Sequence, residues 1–158
     1  DSYIGNKLIK ELDDEEIKKY NILKLKDFFK EINIDNIEVI LDLKDHGNIV
    51  YELIKFFNKN KISKHNIIIS TFNINFLKTL KGSDFRLGFT TCNNYVDYEF
   101  TKNIDYILID FNIVSEDFIS ELKKNNKIVY CFTCKNKYQL DILKNYKLDG
   151  IISNIKID

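Results

Sequence analysis

The sequence predicts an α/β fold built on a parallel sheet with helices packed outside it. Three observations carry that expectation. From residue 36 onward, short apolar runs alternate with amphipathic segments of helical period. The runs are nearly continuous in Ile, Val and Leu, as expected of strands buried on both faces. With 44% hydrophobic residues in 158, the chain also has enough apolar material for the core of one domain.

Taken in order, the first strand is Ile37-Glu38-Val39-Ile40-Leu41-Asp42-Leu43. After Gly47, residues 48–60 place Ile49, Val50, Leu53, Ile54, Phe56 and Phe57 at largely helical spacing. Ile67 to Ser70 make a second strand, followed by a short helix through Phe76, Leu77 and Leu80. Phe85 to Phe89 form a third strand, and a polar stretch around Asn93 to Glu99 leads to a fourth, Tyr106 to Ile109. Ser115 caps a helix whose first turn is acidic and whose buried stripe is Phe118, Ile119 and Leu122. Ile128 to Phe132 is the fifth strand, Tyr138 to Leu143 marks another helix, and Gly150-Ile151-Ile152 is a short sixth strand. Periodicity alone does not separate a closed barrel from an open doubly wound sheet. No Gly-rich phosphate loop follows any strand, which weighs against a nucleotide-binding open sheet.

Residues 1–35 read as a helical lead-in to the same domain, with 36–158 carrying the βα units. Asp13-Asp14-Glu15-Glu16 opens one short helix, and Leu25 to Ile32 form a second. An acidic first turn is what the helix dipole favours, so this cluster needs no metal to explain it. The aromatics Phe28, Phe29, Phe56, Phe57, Phe76 and Phe118 read as helix faces on the sheet.

Twenty-four acidic and 24 basic side chains leave no net charge, hence no global field to gather nucleic acid or an anionic membrane. The absence of Ala, Pro, Met and Trp, with a single Arg (Arg86) and a single Gln (Gln139), points to an A+T-rich coding sequence. The chain opens at Asp1 without a Met, so it reads as part of a longer product, and its compartment stays open. No run approaches the roughly 18 apolar residues of a membrane span. Cys92, Cys131 and Cys134 are odd in number, and the Cys131-Phe132-Thr133-Cys134 spacing lies in an apolar strand without a partner pair. Reduced structural thiols are expected.

The segment richest in chemistry is Leu41-Asp42-Leu43-Lys44-Asp45-His46. Strand alternation puts Asp42 and Lys44 on one face, at the C-terminal end, where (β/α) barrels hold their active sites. A carboxylate beside an ammonium suits a phosphate bridged by a hard cation; an ordinary ion pair at a strand end reads as well. His46 follows in the loop, within reach of such a pocket, whereas His65 precedes a strand at the opposite end. Lys59, Lys61 and Lys64 read as a solvated loop, and Cys92 has no neighbouring base to activate it.

These segments, in this order, resemble the later half of glycerophosphodiester phosphodiesterases. Leu41-Asp42-Leu43-Lys44 stands where that family has Ile-Glu-Ile-Lys, and Ile69-Ser70-Thr71-Phe72 is similar to its Ile-Ser-Ser-Phe. Phe132-Thr133-Cys134-Lys135 stands for its Trp-Thr-Val-Asn, and Asp149-Gly150-Ile151-Ile152-Ser153-Asn154 for its Asp-Gly-Ile-Ile-Thr-Asp. Gly5 to Leu25 resembles the loop and helix before the carboxylate-bearing strand. The resemblance implies a partial TIM-type (β/α) barrel. It also implies a metal-dependent hydrolase that splits glycerophosphodiesters into glycerol 3-phosphate and an alcohol. On that reading Asp42 binds Mg²⁺ or Ca²⁺, Lys44 binds phosphoryl oxygens, and Phe132 and His46 belong to the substrate pocket. No catalytic residue is assigned within the chain.

The departures are as informative. Asp42 is one methylene shorter than Glu, Phe132 lacks an indole N–H, and Asn154 replaces Asp. The family's His-Arg-Gly strand, Glu-x-Asp pair and second catalytic His lie upstream of Asp1. Two alternatives therefore stand beside the hydrolase. One is a truncated or degenerate barrel serving as a binding or assembly module, which self-associates or takes up a complementing N-terminal segment through open strand edges. The other is an unrelated α/β protein, in which Asp42, Lys44 and Phe132 would not converge.

Overall fold

The computed structural model of the chain describes residues 3–44 and 47–156. Its N-terminal segment opens with a small antiparallel hairpin of β1 (Tyr3–Ile4) and β2 (Lys7–Leu8). Gly5 turns it with φ +58°, a left-handed conformation that glycine adopts without steric cost. Gly-Asn between two runs is a hairpin signal, but two-residue strands carry no period to detect. Helix α1 (Asp14–Lys19) starts where expected. The Asp13 carboxylate accepts from Glu15 N at 2.9 Å and Glu16 N at 2.8 Å, and the Glu16 carboxylate accepts from Asp13 N at 3.2 Å. The acidic cluster is thus a reciprocal cap. Helix α2 (Leu25–Glu31) follows.

Six parallel strands form the main sheet: β3 (Val39–Asp42), β4 (Ile67–Thr71), β5 (Arg86–Thr91), β6 (Tyr106–Asp110), β7 (Ile128–Cys134) and β8 (Gly150–Ser153). Helices α3 (Ile49–Asn60), α4 (Ile74–Leu80), α5 (Glu116–Lys124) and α6 (Lys137–Leu143) connect them, while turns rather than a helix join β5 to β6. That turn-rich link is stitched down by the buried Lys127, whose Nζ donates to Thr101 O at 2.6 Å and Ile104 O at 2.9 Å. The strands lie in the sheet in chain order. A doubly wound sheet reverses its order at a switch point; this one never does. It is a curled half-barrel of TIM type.

The register separates two apolar layers. Ile67, Ile69, Leu87, Ile107, Ile109, Val129 and Cys131 face outward and pack beneath Phe57, Leu77, Leu80, Leu122 and Leu143 of the helices. Phe57 meets Phe29 and Phe85 edge to face at 5.3 and 4.9 Å. The inner face carries a smaller cluster of Ile68, Tyr106 and Leu108, joined by Ile40, Ile128, Tyr130, Phe132 and Ile152.

The curl can be measured from one bond. The Tyr130 hydroxyl of β7 donates to the Glu38 carboxylate, just before β3, at 2.9 Å. Four strand spacings in a flat sheet would hold those strands about 19 Å apart. Arg86 of β5 pairs with the same carboxylate and lies 4.8 Å from the Tyr106 ring centroid. Gly150 makes room at this level, since a Cβ there would lie 3.0 Å from the Tyr130 ring. Asp149 accepts from Val129 N at 2.6 Å and pairs with Lys123 of α5, fastening β8 to β7. None of the described helices is long and apolar enough to cross a membrane.

Candidate functional site

Strand alternation and curl together aim Asp42 of β3, Ser70 of β4, Thr90 of β5, Leu108 of β6 and Phe132 of β7 into one cavity. It lies at the C-terminal ends of the strands, with a volume of about 270 Å³. Lys44, Phe72, Thr133, Ile40 and Ile152 complete its lining. Asp42, Lys44 and Phe132 therefore converge, and the alternative of an unrelated α/β protein fails.

Lys44 Nζ lies 2.7 Å from Asp42 Oδ2 and 5.9 Å from the Phe72 ring centroid, with both charged groups partly open to solvent. Phe72 and Phe132 meet edge to face at 6.1 Å, an apolar wall beside the charged pair. β7 shifts register between Cys131 and Cys134. Consecutive strand residues normally point to opposite faces; this irregularity lets both Phe132 and Thr133 reach the cavity. Phe132 thus lines the cavity with its ring. His46 falls outside the described residues. His65 sits exposed in the turn before β4, at the far end of the sheet.

Two further residues were not singled out as site residues from the sequence. Ser70 and Thr90 are 0% and 3% exposed, and neither side-chain oxygen has a hydrogen-bond partner among the described residues. An unmatched buried hydroxyl costs about 1–3 kcal/mol. Ser and Thr in strands are too common to signal a site; only the unmatched burial marks these two.

A hard cation of the expected Mg²⁺ or Ca²⁺ type needs six or more oxygen ligands. Asp42 offers one carboxylate, and among the described residues no group of three or more His, Cys, Asp or Glu stands close enough to hold a metal. Among the described residues, Asp42 could supply one ligand to such a cation and not the full set. Elsewhere, burial and the Asp110 charge push the Cys92 thiol up. Burial, with Asp110 nearby, pushes the Cys131 thiol to about 12. Cys92 and Cys131 are therefore poor nucleophiles, and Cys131 and Cys134 are fully buried.

The sequence profile of the glycerophosphoryl diester phosphodiesterase family matches residues 5–155. The chain belongs to that family. Among solved structures, it is similar to the glycerophosphodiester phosphodiesterase of Thermotoga maritima, with 16% identity and a TM-score of 0.73 over 97% of this chain and 73% of that one. The enzyme of the same name from Parabacteroides distasonis gives 13% identity and 0.73, over 98% of this chain and 71% of that one. An Oleispira antarctica phosphodiesterase, solved in complex with the product sn-glycerol-3-phosphate, gives 19% and 0.63, over 73% of this chain. The matched part spans about half of that chain, 51%. At these identities the likenesses speak for the fold. A comparison with curated proteins gives no match.

Proposed function

We propose that this chain forms the ester-binding half of a phosphoric diester hydrolase acting on glycerophosphodiesters, which yields glycerol 3-phosphate and an alcohol. The observation that carries the reading is the convergence of Asp42, Lys44 and Phe132, from strands at opposite sides of the sheet, on one cavity at the barrel's functional end. Membership of the phosphodiesterase family supports it, as does the glycerol 3-phosphate bound by the Oleispira relative.

The Lys44 ammonium binds the phosphoryl oxygens as a point charge at the rim. The Phe72–Phe132 wall shelters the leaving alcohol from water. Asp42 holds Lys44 in place and presents a carboxylate to a divalent cation, Mg²⁺ or Ca²⁺. Such a cation, when bound, polarises a phosphoryl oxygen and offsets developing charge. No acid–base residue of the reaction is assigned among the described residues.

Calorimetric titration of the protein with sn-glycerol 3-phosphate, and separately with Mg²⁺ and Ca²⁺, tests this. Lys44→Ala should weaken the ester at least about tenfold, the scale of a charged hydrogen bond, and Asp42→Ala should abolish the metal heat. Isotherms identical to wild type would reduce the pair to an ordinary surface ion pair.

A second reading is favoured by the sheet itself, whose outer strands β3 and β8 each have a single neighbour among the described residues. In this reading the half-barrel is a binding or assembly module that pairs these edges with another copy or a complementing segment. Sedimentation analysis decides it: a monomer across the micromolar range would sink the self-pairing form.

A further inference from the structure

Building on the ester-binding reading, we infer that Ser70 and Thr90 form a neutral subsite that selects the polyol part of the ligand, beside the Lys44 ammonium that takes the phosphate. Four observations converge on it. Both residues line the same cavity as Asp42, Lys44 and Phe132. Both are more than nine-tenths buried, with side-chain oxygens that lack a partner among the described residues. The register pairs Asp42 with Ser70 and Ser70 with Gly88, which sets Thr90 two residues further along β5 on the same face. Gly88, level with Ser70 in the register, carries no side chain, and Leu108 Cδ1 lies 2.9 Å from where its Cβ would stand, which packs Leu108 against the pair.

The surroundings decide what these hydroxyls bind. The cavity they share is lined by Leu108, Ile40, Ile152 and Phe132, with the Asp42 carboxylate level with Ser70 on the next strand, and its charged groups Asp42 and Lys44 are partly open to solvent. Placing a phosphate dianion among apolar walls without a counter-charge costs far more than placing a neutral hydroxyl there. Each serine or threonine hydroxyl both donates and accepts, so a pair of them matches a diol and leaves none of the four groups unmatched. An alkyl chain in the same place would leave both protein hydroxyls buried without partners. A site built to bond a hydroxyl rejects the analogue that lacks it. The subsite thus separates a glycerol ester from a plain alkyl ester of the same charge.

Three probes read this on the protein: sn-glycerol 3-phosphate, propyl phosphate and glycerol. The wild-type protein should bind sn-glycerol 3-phosphate more tightly than propyl phosphate by at least about tenfold, and Ser70→Ala and Thr90→Val should each remove about threefold to tenfold of that preference. Propyl phosphate affinity should stay at its wild-type value in both variants. Thr90→Ser keeps the hydroxyl and should keep the preference, which separates lost hydrogen bonding from lost packing. Equal wild-type affinity for the two esters would overturn the inference, as would variants that weaken both esters alike. If neither ester binds, the phosphate reading fails by itself. Glycerol added at millimolar concentration then decides the subsite: amide NMR shifts at Ser70 and Thr90 that vanish in the variants support it, and unmoved resonances overturn it.

Discussion

Gly150 shows how a single residue type can be fixed by a neighbour. A methyl group there would meet the Tyr130 ring at 3.0 Å, and that ring cannot easily give way. It is bonded to Glu38 and packed edge to face on Tyr106 at 5.7 Å. Gly150→Ala should therefore destabilise the protein by about 1–3 kcal/mol, the scale of an overpacked core, measured by chemical denaturation. Glu38 makes a pH-dependent contribution on the same inner face. Burial disfavours its charge, but bonds from Tyr130 and Arg86 outweigh this and hold the carboxyl below its usual range. A depressed carboxyl stabilises the fold above its unfolded pKa, about 4.3, and that contribution disappears as pH falls through the folded value. Stability measured from pH 6 down to pH 3 should fall less steeply in Glu38→Gln. Tyr130, pushed up to about 12 by burial and by Glu38, keeps its proton throughout that range. The sequence placed Asp42 and Lys44 on one face by simple alternation. It concealed the Glu38–Arg86–Tyr130 cluster, because 92 residues separate the members of its longest bond.

Elements were the most legible level. Helix α5 begins after Ser115, whose Oγ accepts from Phe118 N at 3.2 Å, as its serine and acidic first turn foretold. Ser115→Ala should cost about 1 kcal/mol, readable as a lowered denaturation midpoint. Phe57 lies at the centre of the outer layer, 1% exposed, and Phe57→Ala should cost about 3–5 kcal/mol. Boundaries were read less well. β3 begins at Val39 rather than Ile37, which lies exposed ahead of it. β7 runs on to Cys134, two residues beyond the apolar run, because the shifted register keeps its polar end paired with Ser153. That extension brings Thr133 into the cavity. Hydrophobic pattern alone could not place it there, because local twist, not polarity, decides where such an irregularity falls.

At the scale of the molecule, periodicity left barrel and open sheet undecided, and the order of strands resolved it. Curvature is a property of the assembled sheet, so no local run of residues announces it. The same curvature makes a cavity from side chains that would stand far apart on a flat sheet. The expected convergence of Asp42, Lys44 and Phe132 came from family resemblance; the unmatched hydroxyls of Ser70 and Thr90 in the same cavity became visible only when burial could be assessed.

An arch keeps its span because something ties its feet together. The Tyr130–Glu38 bond is such a tie, crossing the hollow of the sheet from β7 to β3 on the N-terminal side of the cavity. Phe132 stands two residues above one foot and Asp42 four above the other. Loosening the tie should spread the two walls before any strand parts from its neighbour. On acid titration, the proposed grip on a phosphate ester should therefore fail first, while the circular dichroism of the helices still reads as intact.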